Sequence, residues 1–163
     1  MLLICFDGSE DSRSGIQHAA EILDGQPATV LTVWEPFTEV LTRTSFGVMP
    51  VASGLDIAEI DAATRTRAET LAQEGAELAR EAGFDAQART CSQQSTVARA
   101  ILDEAEAVEA NAIVMGSRGL TGVKSMLLGS VSHAVIQHAD RTVIVVPSPA
   151  IAAERASERH TRE

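Results

Sequence analysis

Five short apolar segments alternate along the chain with longer segments of helical periodicity. The apolar segments consist mainly of valine, isoleucine, leucine and alanine without polar alternation, a pattern typical of parallel strands buried on both faces. The predicted strands are Leu2–Phe6, Ala28–Trp34, Phe84–Cys91, Ala112–Met115 and Thr142–Val146. The third strand is more polar than the others, so we expect it near an edge of the sheet.

The segments between the strands carry apolar residues three and four positions apart, the spacing of an amphipathic helix. Helices are predicted over about 11–23, 57–82, 95–108 and 129–139. Alternation of strands and helices predicts an α/β fold, in which an open, parallel, five-stranded sheet carries helices on both faces of a single domain.

Two segments lack this periodicity. Residues 35–56 contain two prolines and two glycines, and we expect a long, mobile excursion, since connections of that length are usually functional or disordered. The fifth strand is closed by Pro147 and Pro149, and the remaining residues mix charges and alanines. We expect residues 148–163 to form a charged, frayed tail behind a domain that spans residues 1–147.

Composition excludes several classes of function. The formal net charge is −10 over 163 residues, and because an acidic surface repels phosphates, a nucleic-acid partner is disfavoured. No apolar run approaches the roughly 20 residues of a membrane span, and no signal peptide is recognisable. Cys5 and Cys91 lie far apart and outside any C-x-x-C motif. We therefore expect a cytoplasmic protein without disulfides or membrane contact.

Candidate chemistry follows the first and fourth strands. In open parallel sheets ligands bind beyond the carboxyl ends of the strands, where the strand order reverses. Asp7 follows the first strand, and a segment rich in glycine, serine and threonine, residues 116–132, follows the fourth. Its glycines allow close backbone approach, and its N–H groups form a cradle for anions. Gly129 and Ser130 open a helix whose first N–H groups are unpaired. This segment is predicted to bind the phosphates of a nucleotide.

Two familiar phosphate motifs fail on spacing. A P-loop requires lysine directly after its second glycine, whereas Gly122 is followed by Val123 and Lys124 comes one place late. The dinucleotide fingerprint requires three glycines after the first strand, which the sequence Asp7-Gly8-Ser9 does not supply. No catalytic set of serine, histidine and aspartate and no cluster of metal ligands is recognisable, so neither catalytic nor metal-ligating residues are predicted.

The spacing that is present resembles another family. Gly116, two residues, Gly119, nine residues, Gly129 and then Ser130 resemble the G-2x-G-9x-G-[ST] motif of nucleotide-binding members of the universal stress protein family. The resemblance covers about residues 1–147. It implies a Rossmann-like fold similar to that of the adenine-nucleotide alpha-hydrolases.

The resemblance also implies the roles of individual residues. Asp7 would lie at the ribose or adenine, and Val33 would pack on adenine. Met115 and Gly116 would line the ribose, and the binding residues from Arg118 onward would lie at the phosphates. The implied binding residues are Cys5, Asp7, Val33, Met115, Gly116, Arg118, Gly119, Gly129, Ser130, Val131 and Ser132.

As a member of that family, the protein would bind ATP, with Mg²⁺, and act as a stress-response sensor or regulator rather than as a fast enzyme. It would pair as a homodimer through the last strand. Cys5 stands where many members have proline, and Ser95-Thr96-Val97 stand where many have glycine and proline. These departures leave AMP or cyclic AMP open as the ligand. Slow ATP hydrolysis, autophosphorylation, phosphate transfer and a dimer module without nucleotide also remain as alternatives.

Overall fold

A computed structural model of the protein describes residues 1–23, 25–44, 56–120 and 128–160. The strands are β1 (Leu2–Cys5), β2 (Pro27–Trp34), β3 (Asp85–Ser92), β4 (Ala112–Gly116) and β5 (Thr142–Val146). The helices are α1 (Glu10–Ile22), α2 (Phe37–Thr44), α3 (Ile57–Glu81), α4 (Val97–Ala107), α5 (Ser130–His138) and α6 (Pro149–His160).

The five strands form one parallel sheet with the order β3-β2-β1-β4-β5. The chain builds outward from β1 through β2 to β3, and then returns to place β4 and β5 on the other side of β1. The predicted parallel sheet is confirmed, and β3 lies at an edge as its polarity indicated. Strand order reverses between β1 and β4, so a ligand site is expected beyond their carboxyl ends.

Alternate residues of β1 reach two separate cores. Leu2 and Ile4 pack with Ile16 of α1 and with alanines of α3 on one face of the sheet. Leu3 packs with residues of α4 and α5, including Ile101, on the other face. This two-sided burial explains why the strands are continuously apolar, and it confirms the prediction of helices on both faces.

Helix α3 approaches the sheet closely because its buried face is made of small residues. A Cβ atom added to Gly75 would lie 2.7 Å from ring atoms of Phe6 and 2.9 Å from Val30. Arg13 of α1 lies over the same Phe6 ring, with its guanidinium carbon 5.5 Å from the ring centre. Few aromatic residues are therefore needed in this core, since alanine and glycine bring helix and sheet together.

The segment expected to be a long irregular excursion contains a helix, α2. The backbone N–H of Phe37, its first residue, donates to Asp61 Oδ1 on α3 at 2.6 Å. This contact depends on residues 24 positions apart, which explains why local periodicity missed it. Residues 45–55, the remainder of the excursion, lie outside the described part of the chain.

The segment expected to be a frayed tail also contains a helix, α6. Pro149 is its first residue, and the carbonyl of Ser148 accepts a hydrogen bond from Ala152 N–H at 2.9 Å. Proline is tolerated at the first helical position because its missing N–H would be unpaired there in any case. The proline that was interpreted as a stop signal therefore begins a helix. None of the helices in the described residues is long and apolar enough to cross a membrane.

Candidate functional site

A cleft of about 470 Å³ opens beyond the carboxyl ends of β1 and β4, where the strand order reverses. The loop after β1, the loop after β4 and the first turn of α5 form much of its wall. This is the location at which the sequence predicted chemistry.

All eleven residues predicted from the family resemblance lie on this cleft. The structure brings them together from β1, β2, β4 and α5, although it contains no ligand that tests their roles. Five further described residues line the cleft in addition to these eleven: Phe6, Ser12, Val97, Ile101 and Leu120. Val97 and Ile101 lie one turn apart on α4, and helical periodicity does not distinguish a pocket wall from a core face.

One side of the cleft is apolar. Cys5, Val33, Met115, Val97 and Ile101 come together there from three strands and α4. Burial above all, together with the nearby carboxylate of the β1 loop and the other cysteine, raises the pKa of the Cys5 thiol to about 12. The thiol is therefore neutral at physiological pH and serves as an apolar surface rather than as a nucleophile.

Asp7 provides the carboxylate of the cleft. Its Oδ1 accepts a hydrogen bond from the backbone N–H of Ser9 at 3.0 Å, which fixes the turn between β1 and α1. The other oxygen faces Gly119, where an added Cβ would lie only 2.7 Å from Asp7 Oδ2. Glycine at position 119 therefore lets the loop after β4 approach the carboxylate.

The first turn of α5 supplies hydrogen-bond donors. Gly129 is the N-cap and provides no side-chain cap. The backbone N–H groups of Ser130, Val131 and Ser132 have no hydrogen-bond partner among the described residues. Unpaired N–H groups and the helix dipole make such a terminus attractive to an anion.

The hydroxyl of Ser132 is hydrogen-bonded within the protein. It donates to the carbonyl oxygens of Gly116 at 3.0 Å and Ser117 at 3.2 Å, and the side chain is buried. Since a hydroxyl carries one proton, this group is committed to the protein and ties α5 to the end of β4. Only the backbone N–H of Ser132 remains available to a ligand.

The three motif glycines differ in what the fold requires of them. A Cβ at Gly116 would lie 2.7 Å from Asp11 Cβ, so this glycine is needed for packing against α1. Gly119 is needed beside the Asp7 carboxylate. At Gly129, however, the nearest atoms of described residues to an added Cβ lie 3.5 Å away, an ordinary contact, and φ is −68°. Nothing in the described part of the chain explains glycine at position 129.

A second cleft of about 450 Å³ lies at the β3 edge, on the other side of α4. Arg65 and Arg99 line it, and each is paired with a carboxylate one helical turn away, Arg65 with Glu69 and Arg99 with Asp103. Its charges are therefore largely balanced internally. It lies away from the carboxyl ends of β1 and β4, where the strand order reverses (the switch point of the sheet). It is therefore the weaker candidate for a ligand site.

The sequence pattern of the Universal stress protein family matches residues 1–147 of the chain. The chain belongs to this family. The family resemblance inferred from the glycine spacing is thereby confirmed, and α6 lies beyond the matched residues. Universal stress protein YxiE of Bacillus subtilis is 32% identical over 146 residues, which cover 89% of this chain and 97% of the relative.

Several solved structures, universal stress proteins among them, share the fold. The hypothetical protein MJ0577 superposes with a TM-score of 0.70 at 23% identity, covering 90% of this chain and 94% of the other. A universal stress protein in complex with cAMP gives 0.58 at 22% identity, covering 90% and 95%. An Arabidopsis thaliana member with AMP bound gives 0.61 at 13% identity, covering 91% and 92%.

Proposed function

We propose that the protein binds an adenine nucleotide in the switch-point cleft and acts as a stress-response sensor or regulator in the cytoplasm. The observation that carries this proposal is the combination, in one cleft, of an apolar wall with three backbone N–H groups that have no hydrogen-bond partner among the described residues. A nucleotide offers the matching pair of surfaces, an aromatic base and a phosphate. Neighbours with bound AMP and cAMP support this ligand class.

The phosphate end of the ligand fits the α5 N-terminus. Hydrogen bonds to a charged group contribute roughly 1.5–3 kcal/mol each, so three contribute about 4.5–9 kcal/mol before ordering costs. Micromolar affinity corresponds to about 8 kcal/mol, so the phosphate contacts and the apolar wall together are sufficient for this range. Arg118 also lines the cleft and adds a positive charge.

The base and ribose fit the opposite side. Val33 and Met115 offer apolar contact to an aromatic base, and Asp7 offers carboxylate oxygens to a ribose hydroxyl or an exocyclic amine. A carboxylate repels phosphate, so it suits the uncharged part of a nucleotide. These assignments agree with the roles implied by the family resemblance.

Among adenine nucleotides, ATP with Mg²⁺ is our first choice. A triphosphate carries more negative charge than Arg118 neutralises, so a cation should accompany it. The described residues contain no cluster of three or more side chains that could hold a metal. The phosphates themselves would therefore supply ligands to Mg²⁺, with water completing its octahedral shell.

Calorimetric titration with ATP and Mg²⁺, with AMP and with cyclic AMP tests both the binding of an adenine nucleotide and the choice of ATP among them. We expect saturable binding near micromolar Kd, strongest for ATP with Mg²⁺. At about a hundred times Kd the ligand should stabilise the fold by about 2.7 kcal/mol, roughly 5–10 °C in Tm. Tighter binding of cyclic AMP would overturn the choice of ATP, and the absence of binding by all three at millimolar concentration would overturn nucleotide binding.

The proposal includes a homodimer paired through β5. In the described part of the chain β5 pairs only with β4, and its central residues Val143, Ile144 and Val145 are half-buried. The opposite edge, β3, carries charged and polar side chains, which are the usual protection of an edge that stays solvated. An apolar edge is the one that favours pairing with a second copy.

Light scattering tests the dimer. We expect twice the chain mass of 17.2 kDa for the wild type, and a shift toward monomer for Val145→Lys, because a lysine on an edge strand opposes pairing. Gln87→Lys places the same residue on the β3 edge and should leave the mass unchanged. A monomeric wild type, or equal behaviour of both variants, would contradict pairing through β5.

A further inference from the structure

Asp11, on the first turn of α1, is a buried carboxylate that is not among the residues lining the cleft. Only 6% of its surface is exposed. Its Oδ2 accepts two hydrogen bonds, from the Ser117 hydroxyl at 2.8 Å and from the Arg118 backbone N–H at 2.9 Å. A buried charge is costly unless it is paired in this way, so the carboxylate and the start of the loop after β4 fix each other.

The same loop residue reaches α5. The carbonyl of Ser117 accepts hydrogen bonds from the Gly129 N–H at 2.8 Å and the Ser132 hydroxyl at 3.2 Å. Ser117 therefore stands between Asp11 on one side and the cap of α5 on the other. Ser117 thus contributes to holding both the start of the loop and the first turn of α5.

Helix stabilisation alone does not account for Asp11. An acidic residue in the first turn of a helix interacts favourably with the macrodipole, but Glu10 does so from an exposed position in the same turn. Asp11 differs because it is buried and because its Oδ2 accepts hydrogen bonds from a loop more than a hundred residues away in sequence.

We propose that Asp11 is a positioning residue of the nucleotide site, which holds Ser117 and Arg118 so that the N–H groups of α5 are oriented before the phosphate arrives. This inference rests on the proposed nucleotide binding. Pre-orientation of donors raises affinity because less ordering remains to be done on binding. Asp11 acts through the loop and α5 and does not itself contact the ligand.

Titration of three variants with AMP and with adenosine tests the role. Asp11→Ala should weaken AMP binding about tenfold, the effect of losing roughly one hydrogen bond to a charged group, and adenosine binding less than about threefold. Asp11→Asn should bind AMP within about threefold of the wild type, because an amide oxygen can accept both bonds. Glu10→Ala, the same change of charge on an exposed neighbour, should match the wild type.

Two results would overturn the role of Asp11. One is equal AMP binding by Asp11→Ala and Glu10→Ala. The other is an equal loss of AMP and adenosine, which indicates general damage to the cleft. If Asp11→Ala does not fold, Ser117→Ala removes one of the two donors and should show the same preference for loss of AMP, with a smaller factor.

Hydrogen exchange of the nucleotide-free protein tests the hydrogen bond from the Arg118 backbone N–H to Asp11 in the absence of a ligand. The Arg118 amide should be protected in the wild type and in Glu10→Ala and should exchange faster in Asp11→Ala. An unchanged exchange rate of the Arg118 amide in Asp11→Ala would show that Asp11 does not hold the loop after β4. If the wild type binds no adenine nucleotide, the proposed function fails and the role in binding fails with it. If the wild type binds and the variants do not differ, only the role of Asp11 fails.

Discussion

Replacing Gly129 by serine should stabilise the free protein slightly and weaken nucleotide binding at the same time. Gly129 is the N-cap of α5, with φ −68° and ψ 158°, the extended conformation that a capping serine adopts. Among the described residues, the nearest atoms to an added Cβ are 3.5 Å away, so the side chain fits without displacing these neighbours. The serine hydroxyl would accept a hydrogen bond from the backbone N–H of Ser132, a donor that we assign to the phosphate.

The two effects have different sizes. Serine exceeds glycine at an N-cap by a few tenths of a kcal/mol, which corresponds to a rise in Tm of about 1 °C for a domain of this length. Removal of one hydrogen bond to a charged phosphate costs about 1.5–3 kcal/mol, or roughly 10–150-fold in Kd. Stability and affinity should therefore change in opposite directions.

Two further variants separate the causes. Gly129→Ala adds the carbon atom without the hydroxyl and should lower Tm by about 2–4 °C, since alanine is a poor N-cap. Asp56→Ser exchanges one capping side chain for another at the start of α3, far along the chain from the cleft loops, and should leave Kd unchanged.

Thermal melts and calorimetric titration with ATP and Mg²⁺ measure both quantities on the same samples. The contradicting result is a Gly129→Ser protein whose Kd lies within twofold of the wild type while its Tm is equal or higher. That result would mean that the phosphate does not lie at the N-terminus of α5.

Three further predictions concern packing and protonation. Gly75→Ala should lower the free energy of unfolding by about 1–3 kcal/mol in denaturant titrations, because its methyl group would overlap the Phe6 ring; an unchanged midpoint would contradict the packing. Gly119→Ala should weaken nucleotide binding in calorimetry, because its methyl group would meet a carboxylate oxygen of the cleft; unchanged affinity would contradict the close approach. Folding raises the pKa of Cys5 to about 12 and of Cys91 to about 11, whereas an unfolded thiol titrates near about 8.5. The unfolded chain then loses protons that the folded protein keeps, so stability should fall as pH rises above about 8.5, and less steeply in Cys91→Ala; identical slopes would contradict the raised values.

Much of the fold followed from local patterns. Continuous apolar segments separated by amphipathic ones were sufficient to predict the parallel sheet, because burial on both faces removes polar alternation from strands such as β1 and β4. The glycine spacing then indicated where the phosphate-binding loop lies. This loop follows β4, whose carboxyl end lies beside that of β1 where the strand order reverses.

What local patterns missed depends on contacts between distant parts of the chain. Helix α2 is supported by Asp61 of α3, and Asp11 is identified only by its hydrogen bonds to the loop after β4. Ile101 belongs to a regular apolar face of α4, so the sequence does not indicate that it borders a cleft. The α6 error has a local cause, because Pro149 is compatible with both the end of a strand and the start of a helix.

Amide NMR spectra recorded while AMP, and then ATP with Mg²⁺, are added to the protein locate the bound nucleotide. We expect saturable shifts of the backbone amides of Ser130, Val131 and Ser132, together with those of Asp7 and Gly119, while residues of the second cleft remain unchanged. Saturable binding that shifts the second cleft and leaves the α5 amides in place would contradict this expectation, as would the absence of any shift at millimolar nucleotide.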